Sequence, residues 1–130
     1  MINDPIADML TRIRNAIPRR KKTVLIPSNK ILIGIAKILK SEKFIEDFEI
    51  NNTENKHELI LKLKYVNNES AISHLERVSK PGLRIYIGYR DIPRIKNGLG
   101  VAILTTSKGI LTDKQARQNK IGGELIAKIW

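Results

Sequence analysis

The N-terminal part of the chain contains two stretches with the spacing of an amphipathic helix. Asp4 is a suitable N-cap, Pro5 fits the first helical position, and Pro18 predicts the end of the first helix. Pro27-Ser28 is expected to open the second helix, which runs to Lys43. Apolar residues at intervals of three or four predict one buried face on each helix. These residues are Ile6, Met9, Leu10, Ile13 and Ile17 in the first helix, and Ile31, Ile35, Ile38 and Leu39 in the second.

Alternating apolar and polar positions predict three strands around these helices. Residues 23–26 form a short β-branched strand between the two helices, and residues 44–50 alternate apolar with acidic side chains. The polar residues 51–55 are typical of a turn, and residues 59–65 alternate again. We therefore expect a hairpin that packs under two helices.

The C-terminal part of the chain is predicted to be mostly β. Residues 72–78 fit either a strand or a helix and are interpreted as a strand, while Pro81-Gly82 is a turn before a strand at residues 83–87. Three further strands are predicted at residues 101–104, 110–111 and 124–130, the last one after Gly122-Gly123.

Two short helices are predicted between these strands. Asp91, followed by Ile92 and Pro93, opens one that ends at Asn97-Gly98, and Thr112-Asp113 caps another at residues 114–119.

The polar, aperiodic residues 67–70 are the best candidate for a boundary within the chain. We therefore predict an α+β fold in which an N-terminal α-β-α-β-β module, residues 1–66, packs against a mostly β C-terminal module with short helices, residues 67–130.

Net charge narrows the class of partner. The 130 residues include 24 Lys and Arg against 13 Asp and Glu, a net charge of +11. The excess of positive charge is larger in residues 70–130, which carry 11 basic and 4 acidic side chains, than in residues 1–69, which carry 13 basic and 9 acidic side chains. Such a chain repels itself unless a polyanion compensates, so a polyanionic partner is expected. Charge alone gives salt-sensitive binding without sequence preference, so discrimination needs another feature.

Several functional classes find no support in the sequence. The chain has no cysteine, which excludes disulfides and thiolate metal sites. We expect no signal peptide, no membrane span and no cofactor, and hence a soluble protein that works where it is made. Gly98 and Gly100 lack the third glycine of a dinucleotide fingerprint, and His57 and His74 have no ligand pattern beside them. An enzyme is therefore not expected.

A cluster of small hydroxyl side chains is the best functional clue. Residues 105–109, between two apolar strands, are Thr105, Thr106, Ser107, Lys108 and Gly109. Hydroxyl groups both donate and accept, which suits ribose hydroxyls and base edges and indicates a structured RNA partner. The alternative is a hairpin turn that its own side chains close. A regulatory DNA- or messenger-binding module is a further alternative, but it requires a recognition helix that neither predicted helix displays clearly.

Several sequence blocks together resemble one known family. They are DPIADMLTRIRNA at residues 4–16, KPGLRIY at 80–86, the run at 98–117, Gly122-Gly123-Glu124 and the terminal Trp130. This pattern is similar to the family of the eighth protein of the bacterial-type small ribosomal subunit. The resemblance implies a primary binder of the central domain of small-subunit ribosomal RNA that helps assemble the platform. It implies contacts with neighbouring proteins, foremost the fifth and then the twelfth, and for bacterial relatives repression of their own operon's messenger.

The resemblance also implies a set of RNA-binding residues. The family's RNA-reading loop matches Thr105, Thr106, Ser107, Lys108 and Gly109, and its acidic contact matches Glu124, after Gly123. The Glu124 carboxylate could accept a hydrogen bond from a base amine, or could instead pair with Arg117 or Lys120.

Other candidates depend on chemistry and position. Tyr86, beside Arg84, could stack on a base or only cover a sheet edge. Candidate phosphate contacts are Arg12, Arg14, Asn15 and Lys30, with solvated surface charge as the alternative. The basic run at residues 19–22 is a general electrostatic patch or a mobile basic loop.

The sequence departs from the usual family pattern at three positions, one of which is Pro18, which ends the first helix early and could change the path of the basic loop. Thr105 stands where serine is common, and Lys128 stands where the family usually has an aromatic residue. The frequent Ile, Lys and Asn resemble a plastid-encoded version, which predicts a ribosome of the chloroplast stroma, with a bacterial cytoplasm as the alternative.

Overall fold

The computed structural model describes residues 4–130 and confirms the α+β fold class. The helices are α1 Pro5–Ala16, α2 Lys30–Ser41 and α3 Asp113–Gln118. The longer strands are β1 Thr23–Pro27, β2 Ile45–Asn52, β3 His57–Leu63, β8 Val101–Thr106, β9 Gly109–Thr112 and β10 Gly123–Ile129. The strands of two or three residues are β4 Tyr65–Val66, β5 Glu69–Ser70, β6 Leu75–Arg77 and β7 Tyr86–Ile87.

Contacts divide the described residues into two compact units. The N-terminal unit is Pro5–Ile72, and the C-terminal unit is Ser73–Trp130 together with Asp4. Asp4 joins the C-terminal unit because its carboxylate accepts hydrogen bonds from Arg77, at 3.2 Å from Nε and 3.3 Å from Nη2. The division of the chain into domains after residue 66 stays a prediction.

The N-terminal unit has an antiparallel sheet in the order β1-β3-β2 with α1 and α2 against it. Its most deeply buried side chains come from both helices and from alternate strand positions, as the spacing predicts. They are Met9, Leu10, Ile13, Ile26, Leu32, Ile35, Leu39, Ile45, Leu59 and Leu61.

The start of α2 differs from the prediction. Pro27 is still in β1, and the Ser28 N–H donates to His57 O at 2.9 Å, so sheet pairing continues through both residues. Asn29 caps the helix instead, since its Oδ1 accepts from Leu32 N at 2.8 Å. The buried face includes Leu32 rather than Ile31, which is exposed.

Residues 67–70, which were predicted to be an aperiodic boundary, belong to a regular β-hairpin. Strands β4 and β5 form a two-residue hairpin whose turn is Asn67 and Asn68, with φ of 52° and 65°. Asparagine tolerates this left-handed region, which a type I′ hairpin turn needs at both central positions. The stretch lacks periodicity because the strands are only two residues long.

The C-terminal unit has a five-stranded antiparallel sheet in the order β6-β10-β8-β9, with β7 also paired to β10. The predicted helix cap is confirmed, because Thr112 and Gln115 form a reciprocal capping box at the start of α3. Packed side chains beneath the sheet include Ile92, Ile95, Ala102, Leu104, Ala116 and Leu125.

Two predictions in the C-terminal unit are wrong. Only Tyr86–Ile87 of the strand predicted at residues 83–87 pairs as a strand, and Leu83 is 66% exposed at the end of a tight turn with Lys80. Asp91 ends a 3₁₀ turn rather than opening a helix. Pro93 explains this, because it holds the preceding Ile92 in extended backbone with ψ of 122°.

Candidate nucleic-acid interface

The hydroxyl cluster lies at the end of the β8–β9 hairpin. Thr105 and Thr106 are the last two residues of β8, Ser107 and Lys108 form the turn, and Gly109 begins β9. The loop is therefore shorter than the predicted residues 105–109. Gly109 has φ of 102°, a left-handed conformation that glycine adopts without strain and that closes a short hairpin.

The three hydroxyl groups differ in how they are used. Thr106 Oγ1 donates to Gly109 O at 2.9 Å and accepts from Lys108 N at 3.1 Å, so this hydroxyl closes the turn. Within residues 4–130, the hydroxyls of Thr105 and Ser107 make no hydrogen bond. The alternative of a self-closed turn thus holds for Thr106, while Thr105 and Ser107 keep their hydroxyls for a partner.

Three predicted site residues form a row across neighbouring strands. Glu124 in β10 lies opposite Thr105 in β8 on one side and opposite Tyr86 in β7 on the other. Directly opposite residues of antiparallel strands point to the same face of the sheet. We call Tyr86, Glu124 and Thr105 the cross-strand row. Tyr86 is 70% exposed, so its ring is available rather than packed over the sheet.

Glu124 pairs with Arg84, not with Arg117 or Lys120. Arg84 Nη1 donates to Glu124 Oε2 at 3.0 Å, with the glutamate side chain 16% exposed and the arginine 47%. This hydrogen bond and the charge of Glu124 raise the pKa of Arg84. Arg117 instead donates to Asp113 Oδ2 at 2.7 Å. The pair therefore holds a guanidinium beside Glu124, the middle residue of the cross-strand row.

The close packing of three strands requires the two glycines before Glu124, and the sequence alone did not reveal this requirement. A Cβ on Gly123 would stand 2.2 Å from Thr105 O, and a Cβ on Gly122 would stand 2.3 Å from Ile87 O. Both distances are far inside van der Waals contact, so β7, β10 and β8 approach closely only because these residues are glycines. The RNA contact predicted for Gly123 stays a prediction.

A further residue supports the site and was not singled out from the sequence. Ser79 is fully buried, and its Oγ accepts from Ile85 N at 2.7 Å and lies 3.4 Å from Ile85 O, to which it can donate. Ile85 stands between Arg84 and Tyr86, so Ser79 fixes the backbone that presents both. A serine two residues before a Pro-Gly turn was the available signal in the sequence.

We expect Ser79→Ala to destabilise the C-terminal unit by about 1 to 3 kcal/mol, because it leaves the Ile85 N–H without its acceptor. Urea unfolding measures the loss, and faster hydrogen exchange at the Ile85 amide locates it. Ser73→Ala, at an exposed serine, is the control. Unchanged exchange at Ile85 in Ser79→Ala would show that the hydroxyl does not hold this segment.

The predicted phosphate contacts belong to the N-terminal unit. Arg14 and Asn15 are exposed near the end of α1, and Lys30 is exposed as the first residue of α2. The hairpin, the cross-strand row and Arg84 all belong to the C-terminal unit. The candidate residues therefore form two groups, one in each unit.

Residues 4–130 lack two other features on which a function could rest. No helix there has the length and apolar character needed to cross a bilayer. In the same residues, no three His, Asp or Glu side chains are grouped so that they could hold a metal ion.

Comparison with known proteins gives one consistent result. The family model described as "Ribosomal protein S8" matches residues 4–130. The small ribosomal subunit protein uS8 of Thiobacillus denitrificans is 56% identical over 125 residues, covering 96% of this chain and 95% of the relative. That of Persephonella marina is 54% identical over the whole of both chains, and that of Oenococcus oeni is 55% identical over 99% of this chain and 98% of the relative. The match extends over the complete hairpin, the cross-strand row and both units, so this chain belongs to the ribosomal protein S8 family.

Proposed function

We propose that this chain is a structural protein of the small ribosomal subunit that binds the central domain of its ribosomal RNA through the β8–β9 hairpin and the cross-strand row. Its family consists of structural ribosomal proteins rather than enzymes. The observation that carries the RNA assignment is the cross-strand row, with an exposed ring, a carboxylate and a free hydroxyl side by side.

Each side chain of this surface has a distinct task. The exposed ring of Tyr86 stacks on an unpaired base. The hydroxyls of Thr105 and Ser107 bond to ribose hydroxyls and base edges, which distinguishes RNA from DNA. Glu124 has its Oε1 left to accept from a base amine, while Arg84 offers its remaining N–H groups to a phosphate.

Four other polar side chains position the RNA without reading its sequence. Lys108 is exposed in the hairpin turn, and Arg14, Asn15 and Lys30 are exposed on the N-terminal unit. Lys108, Arg14 and Lys30, together with the net charge of +11, supply the salt-dependent part of the affinity.

The protein partners and the compartment follow from the family. We propose contacts with the fifth and twelfth small-subunit proteins and a role in assembling the platform. The three relatives described above are bacterial, so a bacterial cytoplasmic ribosome fits them, and the plastid origin stays a prediction.

The proposed reading surface is tested by removing its two free hydroxyls in the double variant Thr105→Val/Ser107→Ala. We expect affinity for a central-domain stem of bacterial small-subunit ribosomal RNA to fall by about 1 to 3 kcal/mol, because two hydrogen bonds are lost. This corresponds to about 5- to 150-fold in Kd. Binding is measured by fluorescence anisotropy over a salt series, and the salt dependence should stay unchanged because no charge is removed.

Two controls make this result specific. Thr53→Val/Ser73→Ala removes two exposed hydroxyls away from the hairpin and should leave the affinity unchanged. An unrelated stem of equal length should bind both double variants as it binds the parent chain. If the parent chain binds both stems equally and the hairpin variant changes nothing, the chain is a general polyanion binder and the site assignment fails.

A further inference from the structure

A cleft in the N-terminal unit has the lining of an anion site. It lies between the end of α1, the following loop and β1, and its volume is about 310 Å³. Three of the side chains that line it are cations, Arg12, Arg19 and Lys21, and two are neutral hydrogen-bonding groups, Asn15 and Thr23. Among the described lining residues none carries a carboxylate. The cleft therefore concentrates positive charge in a concave surface.

Arg12 is held in place at the wall of this cleft. Its Nε donates to Asp8 Oδ2 at 3.0 Å, and its Nη1 donates to Leu25 O at 2.9 Å. A guanidinium has five N–H donors, so Arg12 keeps donors for a ligand while two bonds fix its orientation. The Asp8 carboxylate offsets part of its charge, but both side chains are half-exposed, where such a pair is screened by water.

The loop that brings the other two cations is ordered, contrary to the alternative of a mobile basic loop. Lys21 N donates to Ala16 O at 3.2 Å, and the Tyr65 hydroxyl donates to Lys21 O at 2.8 Å. Leu63 N donates to Lys22 O at 2.8 Å, which joins the end of the loop to β3. Bonds at both ends thus fix its backbone.

Three basic side chains of the loop point to two different places, one to the β4–β5 hairpin and two to the cleft. Arg20 has φ of 56°, donates from Nη1 to Asn68 O, and lies 5.9 Å from the centre of the Tyr65 ring. Its neighbours Arg19 and Lys21 line the cleft instead. The left-handed backbone of Arg20 thus directs its own side chain to Asn68 and Tyr65, and leaves Arg19 and Lys21 able to bind a ligand in the cleft.

We propose that this cleft binds a phosphate group of an RNA backbone. A phosphodiester is a compact anion whose oxygens accept hydrogen bonds, and the cleft offers it fixed and flexible cations together with an amide and a hydroxyl. No aromatic ring is among the described lining residues, so the cleft offers nothing on which a base could stack. The inference rests on the proposed function for its RNA partner, and it adds a defined cleft and the cations Arg19 and Lys21 to the phosphate contacts proposed above, in the unit that does not contain the hairpin.

The test compares Arg19→Gln/Lys21→Gln with Lys37→Gln/Lys56→Gln in the full-length chain. Both double variants remove two positive charges, and Lys37 and Lys56 are exposed residues outside the cleft. Amide chemical shifts are followed by NMR during titration with inorganic phosphate. Affinity for the central-domain stem is then measured across a salt series.

We expect phosphate to shift the amides of Asn15 and Thr23 in the parent chain and in the control, but not in the cleft variant. The cleft variant should bind the stem at least about 10-fold more weakly than the control, and its salt slope should fall by about 1. Equal RNA affinities for the two variants would overturn the proposal, and if phosphate shifts were still lost, the cleft would be a site for free phosphate only. A parent chain that binds no RNA but shows the phosphate shifts would refute the proposed function and the RNA occupant, while leaving an anion site.

Discussion

Gly123→Ala is expected to destabilise the C-terminal unit by about 3 kcal/mol, at the upper end of what overpacking costs. The added Cβ would stand 2.2 Å from Thr105 O and 3.1 Å from Thr106 Cγ2. A backbone oxygen cannot rotate away as a side chain can, so β8 and β10 must separate. Urea unfolding followed by the fluorescence of Trp130, the only tryptophan of the chain, measures the loss.

Gly88→Ala is the matched control for this substitution. A Cβ on Gly88 meets no atom within 4 Å, and its φ is −76°, so alanine fits there without strain. Separation of β8 from β10 also displaces Thr105 from Glu124, so RNA affinity should fall in Gly123→Ala and not in Gly88→Ala. Equal unfolding midpoints for the two variants would show that the strands can adjust to the extra carbon.

Asp113→Ala is expected to cost about 3 kcal/mol of unfolding free energy, because it removes the buried carboxylate of an ion pair and leaves its two donors without their acceptor. Asp113 is 3% exposed, accepts from Ala102 N at 3.1 Å and accepts from Arg117 Nη2 at 2.7 Å. The carboxylate thus connects the start of α3 to the base of the β8–β9 hairpin. Thermal unfolding followed by circular dichroism measures the effect.

Asp8→Ala is the corresponding surface variant. Asp8 pairs with Arg12 at the same helical spacing of four residues, but both side chains are half-exposed. Exposed pairs contribute about 0 to 1 kcal/mol, so this variant should unfold close to the parent chain. A loss in Asp113→Ala no larger than in Asp8→Ala would mean that burial adds nothing to the pair.

Long periodic segments were predictable from the sequence because their burial follows their spacing. The first helix and the cap at Thr112 are confirmed, and the strand predicted at residues 59–65 is confirmed as far as Leu63, where β3 ends. Short elements were not predictable, since Asn67-Asn68 forms a hairpin turn too short to show periodicity. The alternation at residues 83–87 was misleading because Leu83 faces solvent.

The sequence was enough to predict which residues form the candidate site, but not which side chains pair with each other there. The hydroxyl cluster and Glu124 stand out in the sequence, and the fold brings them side by side. The partner of Glu124 is Arg84, 40 residues away in sequence, whereas the sequence suggested only Arg117 or Lys120 as protein partners, as the alternative to a base amine. Only the pairing of β7 with β10 brings these side chains together.

The turn that Thr106 closes bears on which partner would change shape on contact. Its hydroxyl bonds to both Gly109 and Lys108, so the chain's own hydrogen bonds hold the shape of the hairpin before any ligand arrives. If RNA binds here as proposed, conformational entropy on the protein side is lost mainly from an exposed side chain such as Lys108, because Arg84 is already paired with Glu124. The larger rearrangement is then expected in the RNA, whose bases must open to meet the preformed hairpin.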